Sequence, residues 1–163
     1  MQLKQISEWV NKDDMEVMLS DEEIKSWLLE KGPITKRIKL NHIFELNLIR
    51  DEVDQINQDD KVFLDNIEGD IKVREVILLG NGNPLVYAKS HIPIFTINDG
   101  LKKLGQLGSK PLGDILFEKN IFNKIEVVYS TFSDEISIFW GRKTKYLVKS
   151  LPFSVMEIFL IEE

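Results

Sequence analysis

Apolar residues recur along this chain with two periods. In SDEEIKSWLLEKG, Ile24, Trp27 and Leu28 fall on one side of a 3.6-residue repeat, behind Ser20 and Glu23 at capping-box spacing and ahead of Gly32. That predicts a helix whose apolar stripe packs into a core. In TKRIKLNHIFELNLIR the period changes to two. Phe44, Leu46 and Leu48 alternate with Glu45 and Asn47, which predicts a strand, with Asn41-His42 as a turn joining it to a short strand before it. VREVILLG and LVYAKSHIP flank NGNP and predict a β-hairpin that ends near Pro93. Leu101 and Leu104 predict a short helix over 97–105, and Pro111 opens another that runs through Ile115 and Leu116. IFNKIEVVY, DEISIFW, KTKYLVK and FSVMEIFLI predict a closing meander, with Gly141 and Ser150-Leu151-Pro152 near its turns.

The order is helix, strands, hairpin, helices, strands. It lacks the regular strand–helix alternation of a doubly wound parallel sheet, so the expected class is α+β with a mostly antiparallel sheet. At 163 residues the chain is expected to form one domain, 1–163, with a sizeable core. Residues 51–70 break the pattern: they are rich in Asp and Glu with Lys61 as the sole base, and they read as a solvated loop. The D-x-D-x-D-G spacing of a calcium loop is missing there.

Composition narrows the function classes. The formal net charge of −6 argues against nucleic acid as a partner. With no cysteine there is neither a disulfide framework nor a thiolate nucleophile. The first residues, MQLKQISEWVNKDD, lack the apolar core of a signal peptide, and no run approaches the roughly 18 apolar residues of a membrane span. A cytoplasmic protein without stable membrane insertion, and a monomer, is expected.

Familiar catalytic signatures are absent. GNGNP is a turn, with no helix pattern behind it to make a dinucleotide fingerprint, and no serine sits in G-x-S-x-G. The two histidines, His42 and His91, fall on different elements and read as structural or surface residues. What remains is charge inside apolar strands. Arg74 shares a face with Val76 and Leu78, whereas Glu75 shares the other with Val73, Ile77 and Leu79. Glu157, in SVMEIFLI, shares a face with Val155, Phe159 and Ile161. An unpaired buried charge is costly. Each residue therefore faces solvent, joins a structural ion pair or serves a ligand site, and the pattern alone leaves these readings open. An arginine fork suits a carboxylate, and a glutamate in apolar surroundings can exchange a proton near neutral pH.

Five stretches together resemble one family. SWLLEKGPITKRIK is similar to a W-L-L…T-K-R segment, and VREVILLGNGNPLVYAKSHIP to an R-E-[IV]-x-L…G-x-P…P hairpin. LKKLGQLGSKPLGDILF is similar to L-x-x-L-G-x-x-P-L-G-x-x-L-F with a few extra residues, IFWGRKTKY to a W-G-R-[RK] turn, and VMEIFLIEE to a closing E-[LI]-F-L strand. In order and spacing they resemble the bacterial chorismate lyases over roughly residues 20–161. The resemblance implies an antiparallel sheet of about six strands and a buried ligand pocket under helix-turn-helix flaps. It implies conversion of chorismate to 4-hydroxybenzoate and pyruvate, the first committed step towards ubiquinone, with no metal or organic cofactor; because the product keeps the carboxylate and hydroxyl, a pocket enclosing them is expected to show product inhibition.

Carried over by position, the resemblance makes Arg74 the residue that binds the ring carboxylate and Glu157 the acid near the 4-hydroxyl. Backbone at Ile34 and Leu112 holds the carboxylate and lines the pocket, with Thr35 and Lys36 beside it. Lys36, Lys89 and Arg142 are candidates for the side-chain carboxylate. Ile34 stands where a familiar member of the family has methionine and Ala88 where that member has glycine, and Pro33 stiffens the entry to the flap. Two other readings stay open. One is a non-catalytic ligand-binding module, since effector domains of some bacterial regulators share the fold, although only about twenty residues precede the resemblance, too few for a DNA-binding domain. The other is a related enzyme giving another hydroxybenzoate.

Overall fold

The structure is a computed structural model that describes residues 2–116 and 120–162. Phe117, which closes the LKKLGQLGSKPLGDILF stretch, lies outside the described residues. A two-residue strand β1 (Lys4–Gln5) is followed by three helices. α1 (Lys12–Met18) is capped by Asn11, whose side chain accepts from the Asp14 N–H at 2.8 Å. α2 (Glu22–Leu28) is the expected helix, and Ile24, Trp27 and Leu28 are its buried face. Its cap lies one residue later than the capping-box spacing suggests: Asp21, not Ser20, accepts from the Ile24 N–H at 3.0 Å.

The strand expected before Asn41-His42 is instead a helix, α3 (Ile34–Asn41). Ile34 and Ile38 are both buried, four residues apart, and this helical repeat prevails over the short alternation read from the sequence. His42 is the residue that ends the helix, and Pro33 begins it without a capping side chain.

β2 (Phe44–Val53) then runs into the acidic segment. That segment is only partly a loop, because Asp51 and Glu52 belong to β2 and α4 (Gln58–Phe63) forms behind an Asn57 cap. Its acids meet bases from distant strands: Asp51 lies 3.0 Å from the Lys72 Nζ, Asp60 lies 3.4 Å from that of Lys143, and Asp65 accepts from Lys145. The expected hairpin forms from β3 (Ile71–Gly80) and β4 (Asn83–Pro93). Its turn residues Asn81 and Gly82 have φ of 52° and 79°, the left-handed pair a tight hairpin needs. The single helix expected over 97–105 is split at Gly100-Leu101 into α5 (Ile94–Asp99) and a 3₁₀ turn (Lys102–Gly105), whereas α6 (Leu112–Leu116), with Pro111 just ahead of it, follows as expected.

Three strands close the chain: β5 (Asn123–Ser133), β6 (Ile138–Val148) and β7 (Leu151–Phe159). DEISIFW and KTKYLVK, expected as two strands, are one continuous β6, with Gly141 in its interior rather than at a turn. The glycine is there for clearance. A Cβ at Gly141 would stand 2.9 Å from the Glu157 carbonyl oxygen and 2.9 Å from the Phe132 ring. Gly141→Ala is therefore expected to destabilise the protein by about 1–3 kcal/mol. Thermal melts check this, and an unchanged midpoint would contradict it.

All neighbouring strands are antiparallel, in the order β1-β5-β6-β7-β4-β3-β2. Six long strands thus match the expected sheet, and β1 adds a short seventh at its edge. α1, α2 and α3 pack Met15, Leu19, Trp27 and Ile38 against β3, β4 and β7 through Val76, Val86 and Phe159. On the same face, Leu104, Leu107 and Leu112 form a second apolar cluster with Ile92, Phe153 and Val155. A cavity remains between the two clusters. Among the described residues no helix is long and apolar enough to cross a membrane.

Candidate active site

Strand register builds the floor of this cavity. Val76, Ala88, Glu157 and Arg142 are successive cross-strand partners on β3, β4, β7 and β6. Next to them runs a second row containing Arg74, Ser90 and Val155. Because side chains alternate along a strand, both rows point to the face covered by helices. The roof comes from residues 30–35 and from the segment 111–116. Arg74, Glu157, Ile34, Thr35 and Leu112, which the sequence singles out separately, all line this one cavity.

Arg74 is 3% exposed. Its NH2 donates to the Lys110 carbonyl at 2.7 Å and the Gly108 carbonyl at 3.2 Å, so the arginine holds down the segment leading into α6. Gly108 has φ of 55°, a left-handed conformation that favours glycine and turns the chain there. The Nε of Arg74 is buried and has no hydrogen-bond partner. A buried donor left unmade is costly, and a bound carboxylate would satisfy it. Burial draws the Arg74 pKa below the usual arginine value, while the Asp51 carboxylate acts in the opposite direction.

Glu157 is not an isolated acid. The Nε of Arg142 donates to its Oε1 at 2.8 Å, and the NH1 of Arg142 donates to the carbonyls of Glu30 at 2.7 Å and Leu28 at 3.1 Å. The Leu28 carbonyl is at the end of α2, where a helix favours a cation. Burial opposes the charge on Arg142, but the ion pair with Glu157 outweighs it and raises the pKa. Arg142 therefore supplies the counter-charge that keeps a carboxylate tolerable in this cavity. Pro33 offers no cap to α3, so first-turn N–H groups at Ile34 and Thr35, both cavity residues, remain available to an acceptor.

Two weaker candidates do not reach the cavity. Lys36 is exposed on α3, and Lys89 lies on the opposite face of β4 with His91 and Lys143. His91 is buried there, its pKa pushed down to about 4 by desolvation. Glu75 also faces away from the cavity. It accepts from the Tyr87 hydroxyl and from Arg50 NH1 at 3.2 Å, so its partners are structural. Lys31, Lys124 and Tyr146 also line the cavity; Lys124 lies outside the stretches that carry the resemblance, and Lys31 and Tyr146 lie within them at positions given no role there. Tyr146 stacks on Phe153, and burial followed by the Glu157 charge raises its pKa to about 12, keeping the phenol protonated. Ala88 occupies the wall between Val76 and Glu157.

A family model described as chorismate lyase matches residues 3–163. A probable chorismate pyruvate-lyase from Psychromonas ingrahamii is 30% identical over 155 residues, covering 85% of this chain and 83% of that protein. Another, from Pseudomonas putida, is 29% identical over 94% of this chain and 89% of its own length. Among solved structures, the C-terminal domain of the histidine utilization repressor from Pseudomonas syringae is similar with a TM-score of 0.54 at 11% identity, covering 72% of this chain and 91% of that one. That likeness is one of fold.

Proposed function

The chain belongs to the chorismate lyase family, and from that premise we propose that it converts chorismate to 4-hydroxybenzoate and pyruvate for ubiquinone synthesis. The observation that carries this reading is the unsatisfied Arg74 Nε in the same cavity as the Glu157–Arg142 pair. Chorismate is a dianion with a ring carboxylate, a hydroxyl on the opposite ring carbon and an enolpyruvyl ether on the carbon next to that hydroxyl. Arg74 takes the ring carboxylate through its unused N–H groups, and backbone N–H groups at the start of α3 add donors to the bound anion. Glu157 accepts from the hydroxyl at the far end of the ring and helps transfer the proton lost from the carbon beneath it.

The ring C–O bond to the ether then breaks and the ring becomes aromatic. The departing enolpyruvate takes a proton at its methylene carbon to become pyruvate. Since aromatisation makes the reaction downhill, the protein's contribution is orientation and electrostatics.

The product keeps both groups read by Arg74 and Glu157. It should therefore compete with substrate. Pyruvate release from chorismate by the purified protein tests the reading, and 4-hydroxybenzoate is expected to raise KM without lowering kcat. An absence of pyruvate would reject the lyase reading. Initial rates unaffected by millimolar 4-hydroxybenzoate would reject the enclosed pocket.

A further inference from the structure

A dianionic substrate has two carboxylates, and the site described so far gives a cation to only one of them. Arg74 serves the ring carboxylate. Arg142 is already bonded to Glu157, Leu28 and Glu30. Among the described residues, the cavity's remaining cations are Lys124 and Lys31. Among the described residues neither has a hydrogen-bond or ion-pair partner. Lys124 is on β5 opposite Tyr146, with its ammonium within electrostatic reach of Arg142, Glu157 and Lys31. Although Lys124 is an exposed residue, desolvation and then the like charges of Arg142 and Lys31 lower its pKa, against the opposing pull of Glu157. A cation set beside other cations, with no anion bonded to it, is the arrangement an incoming anion would relieve.

The position also suits the chemistry of the substrate. In chorismate the enolpyruvyl ether is adjacent to the hydroxyl and remote from the ring carboxylate. A ring held by Arg74 with its hydroxyl at Glu157 therefore projects its second carboxylate past Glu157, away from β3. The strand order β3-β4-β7-β6-β5 places Lys124 on that side. Four strand spacings separate the Arg74 and Lys124 backbones by roughly 20 Å, and both side chains line the one cavity.

We propose that Lys124 binds the second carboxylate of the substrate, the one that leaves with the enolpyruvyl group, with Lys31 adding positive charge at the same mouth. The inference rests on the lyase reading above. It makes Lys124 a residue that tells substrate from product, because 4-hydroxybenzoate has no second carboxylate. Product binding would then depend on Arg74 and Glu157 but not on Lys124.

Lys124→Met is expected to raise KM for chorismate roughly tenfold or more, with the inhibition constant of 4-hydroxybenzoate unchanged. Lys124→Arg should restore most of the substrate affinity. A second measurement does not depend on turnover: calorimetric binding of 3-(carboxymethoxy)-4-hydroxybenzoate, a stable dicarboxylate, against 4-hydroxybenzoate. Wild type should prefer the dicarboxylate, and Lys124→Met should lose that preference. An unchanged KM with an unchanged preference would overturn the role of Lys124 while leaving the lyase reading intact. Equal weakening of both ligands would also overturn it, as a general effect on the pocket. If wild type makes no pyruvate, the lyase reading fails, and the dicarboxylate preference alone decides the role of Lys124.

Discussion

Arg74→Ala is expected to lower kcat/KM for chorismate roughly 10²- to 10³-fold and to weaken 4-hydroxybenzoate by a similar factor. That is the range for truncating one partner of a buried, hydrogen-bonded charge pair. Arg74 is 3% exposed and its buried Nε has no hydrogen-bond partner. Loss of the guanidinium also frees the Gly108 and Lys110 carbonyls, so the segment leading into α6 should loosen and product release should quicken. Steady-state kinetics and calorimetric titration of the product check this together. Retention of wild-type affinity for 4-hydroxybenzoate would show that the ring carboxylate is held elsewhere.

The second large effect is expected at Glu157. Glu157→Gln keeps the shape and can still accept a bond from Arg142, but it removes the charge and the capacity to take a proton. A fall in kcat of roughly 10²- to 10⁴-fold is expected, with KM little changed. Glu157→Ala should differ in kind. It leaves Arg142 buried with two backbone carbonyls and no counter-ion, and breaking a buried pair in this way costs about 3–5 kcal/mol. Thermal melts should therefore separate the two variants, Gln near wild type and Ala well below it. A Gln variant with near-normal kcat would remove Glu157 from the chemistry and leave it a structural partner of Arg142.

Much of this site can be read from local pattern. The hairpin follows from NGNP between two β-branched runs, and the exceptional charge at Arg74 and Glu157 stands out because the surrounding positions are apolar. The family resemblance then joins residues that lie far apart in the chain, and the cavity brings five of them together: Arg74, Glu157, Ile34, Thr35 and Leu112. The misreadings have physical causes. α3 is eight residues long with only Ile34, Thr35 and Ile38 buried, too few positions to separate a helical repeat from alternation. Gly141 resembles a turn residue, yet it is glycine because Phe132 and the β7 backbone crowd it, a fact of packing between strands.

Lys124, Lys31 and Tyr146 were invisible for another reason. Lysine at an edge of an apolar run is the commonest surface residue, and only the pairing of β5 with β6 sets Lys124 near the Glu157–Arg142 pair. The same register removes Lys89 from consideration, since one step along β4 moves a side chain to the opposite face. Glu75 is settled by partners from two neighbouring strands, Tyr87 and Arg50, neither of which its own strand could reveal.

What the cavity does to chorismate decides the function. The most direct measurement is product analysis after incubating the purified wild-type protein with chorismate alone, with pyruvate and aromatic acids quantified from the same sample. Pyruvate and 4-hydroxybenzoate are expected in equimolar amounts. Unconsumed chorismate, or a different hydroxybenzoate in place of the 4-isomer, would contradict the proposed function.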